Sequence, residues 1–166
     1  MRVFVKPILT LALCAPTLVF AENVTVETFV RAESDYNIRE GMKTFDYGVG
    51  EVSHVREPTT TENQPTIRMN QDTLYSGIVL DLSKPVEITL PEVDGRYQSM
   101  HVVNQDHYMF ADAKPGTYTL TEDQVGTRFA LVVFRTFADV TDNDDIAKAH
   151  AAQDAIMVNG GGKGPY

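Results

Sequence analysis

From Thr66 to Ala138 the apolar residues repeat every second position, and this period limits what the chain can fold into more than any other feature. Ile78, Leu80 and Leu82 fall on one face of an extended segment. Val86, Ile88 and Leu90 fall on one face of the next, with Lys84-Pro85 as the turn between them and Pro91 closing the second. After the turn at Asp94-Gly95, Tyr97, Ser99, His101 and Val103 alternate with Gln98, Met100, Val102 and Asn104. Lys114-Pro115-Gly116 marks another turn, before a short strand over 117–121. The segment 127–137 is apolar on both faces at its centre, as expected of a strand covered on both sides. Strands at this spacing predict a mainly β (α+β) fold, either an antiparallel β-sandwich or a jelly-roll-like barrel.

Helical periodicity flanks the strands. Over 25–43, Val26, Phe29, Val30 and Tyr36 lie near one face, Thr25 can cap the start and Gly41 sits near the stop. A second helix is predicted over 143–158, with acidic residues at 142–145 suiting the positive end of its dipole. The run Asn159-Gly160-Gly161-Gly162 ends it, and residues 159–166 read as a glycine-rich tail or linker.

Residues 1–21 read as a signal peptide. Arg2 and Lys6 precede an apolar run over 8–20, and Val19-Phe20-Ala21 offers small residues at the −3 and −1 positions. The run is shorter than the roughly 20 residues that span a bilayer. Cys14 follows Leu13, which is larger than lipoprotein processing accepts, so cleavage after Ala21 is favoured over lipidation. The expected location is periplasmic or secreted, with no stable membrane insertion after cleavage. Cleavage removes Cys14, the sole cysteine, and leaves about 145 residues in one β-rich domain spanning 22–158, with no disulfide. Without Arg2 and Lys6, 12 basic residues face 23 acidic ones, a net charge near −11 that argues against nucleic acid as a partner.

Polar residues concentrate in Ile67-Arg68-Met69-Asn70-Gln71-Asp72-Thr73-Leu74-Tyr75-Ser76. Arginine offers a planar fork for carboxylates, and tyrosine a wide contact surface with a polar tip. Arg68, Asn70, Asp72, Tyr75 and Arg135 are therefore the candidate ligand-binding set for a small polar or anionic ligand. The competing structural reading pairs Asp72 with one of the two arginines and lets Asn70 hold a corner. A second constellation is His107 with Asp106 and His101, where a carboxylate could orient an imidazole for proton transfer. His101 and His107 would stand roughly 20 Å apart on an unbroken strand, so metal binding requires a bend near Asn104. Ser76 and Ser99 are available as nucleophiles, but neither lies in a Gly-x-Ser-x-Gly turn. His54-x-Arg56-Glu57-Pro58 falls in a polar loop, and His150 on the second helix is expected to pack or face solvent.

The stretch around Arg68-Met69-Asn70-x-Asp72-Thr73-Leu74-Tyr75-Ser76 also carries a family resemblance. Together with Phe29-Val30-Arg31-Ala32-Glu33, His54-x-Arg56-Glu57-Pro58, Leu90-Pro91, Arg96-Tyr97, Gln105-Asp106-His107-Tyr108, Gly126-Thr127-Arg128 and Gln153-Asp154-Ala155, it resembles the N-terminal domain of the DUF1254 family of exported bacterial proteins. The resemblance implies a β-rich fold that is usually followed by a second β domain, so a partner β domain or a homo-oligomer is expected. It brings no reaction, cofactor or catalytic set. The reading is a non-catalytic binding or accessory domain with no cofactor and no metal. The alternative is a hydrolase or metal-dependent enzyme using His107, Asp106 and His101.

Overall fold

The computed structural model describes residues 24–166. Two antiparallel sheets carry the fold. The larger takes the order β1-β2-β7-β4-β5, with β1 at Ser53–His54, β2 at Thr73–Asp81, β7 at Phe129–Phe137, β4 at Gln98–Asn104 and β5 at Met109–Asp112. The smaller takes the order β6-β3-β8, from Gly116–Leu120, Val86–Leu90 and Met157–Gly160. Among the described residues the sheets do not close into a barrel, so of the two expected architectures the chain adopts the layered one.

Alternation places the core between the sheets. The inner faces of β2, β7 and β4 contribute Ile78, Leu80, Ala130, Val132, Phe134, Met100 and Val102, while Val86, Ile88 and Leu90 come from β3. Each fully buried aliphatic or aromatic side chain is worth about 1.5–3 kcal/mol of transfer free energy. As its two-sided apolar pattern predicts, β7 is central. Over nine register pairs with β2 it sets Ala130, Val132, Phe134 and Thr136 inward, and Leu131, Val133 and Arg135 on the outer face.

The helices depart from the expectation in informative ways. Helix α1 spans Phe29–Phe45, starting later than predicted and running through Gly41 to a left-handed Asp46. The predicted apolar face points outward: Val26 is 90% exposed, Phe29 55% and Tyr36 59%. Ser34 and Ile38 are buried instead. The short α2, Glu122–Val125, was not expected, and a capping box between Thr121 and Gln124 forms it. Helix α3 spans Asn143–Asp154, capped by Asp142, and ends four residues before the predicted boundary. Its Ala149 packs with Leu74 and Ala138, Ala152 is buried beside it on the same helix, and Gln98 Nε2 donates to Ala152 O at 3.0 Å. Among the described residues no helix is long and apolar enough to cross a membrane. The proposed signal peptide at 1–21 lies outside the described residues.

The glycine-rich end is a correction to the expected tail. Met157–Gly160 pairs with β3, and the chain then turns back along Asp81. Gly161 N and Gly162 N donate to Pro85 O and Asp81 O, and Gly164 N reaches Asp81 Oδ2 at 3.0 Å. A Cβ on Gly162 would lie 2.4 Å from the Asp81 carboxylate, and Gly161 has φ +77, so close approach and left-handed backbone require these glycines. Tyr166 finishes edge-on to Phe129, with the Arg39 guanidinium 4.8 Å above its ring.

Two predictions follow from this packing. The Tyr47 ring lies flat on Gly77 of β2, where an added Cβ would come within 2.2 Å of it. Gly77→Ala is expected to cost about 1–3 kcal/mol in chemical denaturation by overpacking, and less when Tyr47 is also replaced by alanine. Strict additivity of the two changes would contradict the contact. The buried Asp81 carboxylate takes a two-pronged contact from Arg128, at 2.9 and 3.0 Å, which holds it well below the usual range against the opposing effect of burial. A depressed folded value means stability is present above the unfolded value of about 3.9 and lost as pH falls through the folded one. The stability of Asp81→Asn should therefore fall less steeply than wild type below about pH 4. Parallel acid-unfolding curves would refute that role.

Candidate functional site

The outer face of the large sheet is covered at one end by α1 and Tyr47, and left open at the other. Antiparallel register sets Tyr75 of β2 opposite Arg135 of β7, and Arg135 opposite Ser99 of β4. Two residues further along, Gly77, Val133 and His101 form the next row. The chain entering β2 contributes the rim, with Arg68 at left-handed φ 63, Met69 and Asn70. These elements enclose a shallow, open cavity of about 450 Å³ lined by Arg68, Met69, Asn70, Tyr75, His101, Val133 and Arg135.

The structure thus gathers four of the five candidate ligand-binding residues, and brings in His101 from the other constellation. Asp72 is not among them. It precedes β2 on the exposed side, where its carbonyl accepts from Ala138 N. It forms no ion pair with Arg68 or Arg135 among the described residues, so the expected structural pairing is absent.

Arg31, Arg39, Arg56, Arg96 and Arg128 each hold a carboxylate, from Asp106, Asp35, Asp154, Asp145 and Asp81 respectively. Arg68 and Arg135 hold none among the described residues, and both line this one cavity. Arg135 Nε is shut off from solvent and has no hydrogen-bond partner among the described residues. Its guanidinium lies 5.8 Å from the centre of the Tyr75 ring, within cation–π range. A buried charged donor without an acceptor is costly, and an entering anion would supply the missing acceptor.

The second constellation is taken apart by the fold. Asn104 closes the β4–β5 connection by accepting from Asp106 N and Tyr108 N, both at 2.9 Å, and by donating to Val125 O at 2.7 Å. Asp106 is engaged by Arg31 at 2.6 Å, and His107, at φ 65, meets Ser34 Oγ at 3.2 Å. Both residues fasten α1 to the hairpin and neither lines the cavity that holds His101. Among the described residues no three His, Cys, Asp or Glu side chains are grouped to hold a metal ion.

Sequence reasoning missed a different Ser–His pair. His54 Nδ1 lies 2.8 Å from Ser76 Oγ across the β1–β2 pairing, and Gln153 Nε2 donates to the same oxygen at 3.1 Å. The two residues are 22 apart in the chain, so only strand register joins them. Burial, followed by the Arg56 charge, pulls the His54 pKa down and favours the neutral ring. Arg56 itself reaches α3 at His150 O and Gln153 Oε1, while His150 Nε2 contacts Arg56 O, so this loop is a clasp.

Ser76 is fully buried, which separates a structural pair from an activated nucleophile. Ser76→Ala is expected to lower stability by about 1–3 kcal/mol, measured by urea unfolding, through lost partners for Gln153 and His54. The wild-type protein should resist fluorophosphonate probes, and labelling at Ser76 would overturn the structural assignment.

The family model for a protein of unknown function, DUF1254, matches residues 49–160. A solved structure, the VPA0106 protein from Vibrio parahaemolyticus, is similar in fold with a TM-score of 0.55 and 21% sequence identity. That alignment covers 78% of this chain and 34% of the other, so the chain spans about a third of the length of this relative. No curated protein matches the sequence.

Proposed function

This chain belongs to the DUF1254 family, and we propose that it is a non-catalytic domain that binds a small anionic ligand on the open outer face of its large sheet. The observation that carries this reading is that Arg68 and Arg135, the two arginines without an ion pair among the described residues, line the same cavity. Arg135 supplies a preorganised donor from a central strand, and Arg68 and Asn70 close over the ligand from the rim. Tyr75 and Val133 give an apolar floor, and His101 adds a further polar contact. In a protein whose net charge is −9, such a site attracts anions only at short range, because exposed charges are screened over about 8–10 Å.

The leader read in residues 1–21 supports a periplasmic or secreted setting, where the ligand would be met. A separate observation supports a partner β domain. The outward face of α1 presents Phe29, Val30 and Tyr36, and a relative with this fold is more than twice as long.

Citrate titration by isothermal calorimetry tests the anion site. Removing a charge-assisted hydrogen bond costs about 1.5–3 kcal/mol, so Arg135→Gln should weaken citrate binding by at least about tenfold with its melting temperature retained. Equal affinity in wild type and variant, or no citrate binding by either, would refute the proposal.

A further inference from the structure

The anion cavity does not stop at Tyr75. A second cavity of about 470 Å³ adjoins it, and the two share Met69 and Tyr75 as a common wall. The second cavity lies over β1, between the C-terminal end of α1 and the loop that follows β1. Its polar lining includes Ser53, Asp46 and Glu57, with Phe45 as an apolar side. Asp46 and Glu57 hold no ion pair among the described residues, just as Arg68 and Arg135 hold none across the shared wall. Unpaired charges of opposite sign therefore face the two halves of one trough.

We propose that the two cavities form a single groove for a bipolar ligand, with a carboxylate held by Arg135 and Arg68 and a cationic amino group held by Asp46 and Glu57. The proposal rests on the anion-site reading and adds the chemistry of the other end. The polarity of the groove argues against an anion long enough to set a second negative group beside Asp46 and Glu57, whereas a compact anion such as citrate meets only the arginine end. The strand order sets the span. The strands β7, which carries Arg135, and β1, which floors the second cavity, are separated by β2 alone, so the floors of the two halves lie roughly 10 Å apart at about 4.8 Å per strand spacing. An extended chain advances at most about 3.3–3.6 Å per residue, so the matching ligand is about a tripeptide long with both termini free. Tyr75 and Met69 would flank its middle, where a flat ring and an unbranched thioether accept varied side chains.

Calorimetric titration with trialanine and N-acetyl-trialanine separates the two ends. Both ligands carry the carboxylate and only the first carries the ammonium. The groove predicts that wild type binds trialanine at least about fivefold more tightly than its acetylated form. Asp46→Asn with Glu57→Gln should erase that preference, and asparagine keeps the left-handed backbone accessible at position 46. Glu122→Gln with Asp123→Asn removes the same charge on α2, and should leave the preference intact. Equal affinity for both peptides, each weakened by Arg135→Gln, would overturn the bipolar groove while sparing the anion site. Failure of both peptides to bind where citrate binds would overturn the groove alone, and binding of citrate and peptides alike unaffected by Arg135→Gln would overturn both readings. A preference that survives loss of Asp46 and Glu57 would show that the ammonium is read elsewhere and overturn the groove alone.

Discussion

The pairing of β2 with β7 over nine consecutive residues is the constraint on which the rest of the molecule depends. Because side chains alternate with a period of two, a slip of one residue in β7 would send Val132 and Phe134 to the outer face and bring Arg135 into the core, and a slip in β2 would do the same with Ile78, Leu80 and Tyr75. The core cannot accept an arginine without a partner, nor the solvent face a row of aliphatic side chains. The hydrophobic interior therefore fixes which polar residues meet on the opposite side. Tyr75 beside Arg135, with Ser99 next and His101 one row along, is a by-product of burying the other face correctly.

That outer face is then divided by what packs on it. Tyr47 occupies the ground over Gly77, where any larger residue would push it away, and burial pushes its phenol up to about 12. Ser34 and Ile38 seal one end from α1, and their helix is pinned to the hairpin at 105–108 through Arg31 with Asp106 and Ser34 with His107. What remains uncovered is the groove running from Glu57 and Asp46 past Tyr75 to Arg135. The fold thus spends the conspicuous Asp106-His107 pair on attachment and leaves the arginines of the outer face without an ion pair among the described residues.

Much of this was legible in the sequence, for a physical reason. Period-two alternation identifies strands whenever one face is buried, so β2, β3, β4 and β7 could be read as strands, the apolar faces of β2 and β3 could be named, and β7 could be read as central. Arg68, Asn70, Tyr75 and Arg135 could be grouped because three lie within eight residues and the fourth lies on the strand with the strongest apolar signal. Asp72 was grouped with them by proximity, but it falls before the strand begins, where its side chain is outside the cavity. The hairpin strand β5 and the terminal β8 gave no signal, because Met109–Asp112 is mostly exposed and Met157–Gly160 ends in glycine. Asn159 to Gly164 looks like a flexible spacer by composition, and only the buried Asp81 carboxylate explains why side chains are excluded there. The apolar stripe of α1 was misread because amphipathic patterning names a sticky face without saying what covers it. The His54–Ser76 contact and the second cavity depend on register and on a loop end, neither of which a single sequence encodes locally.

The most direct test is to watch Arg135 itself. In a nitrogen-15 labelled sample, the Nε–H signal of Arg135 can be assigned by its loss in Arg135→Gln and followed while citrate is added. An anion that completes its hydrogen bonding should shift that resonance saturably, with the Arg68 signal following and those of Arg96 and Arg128 unmoved. A resonance that stays in place, while citrate perturbs other parts of the protein or none, would contradict the claim that this unpaired guanidinium is the centre of the site.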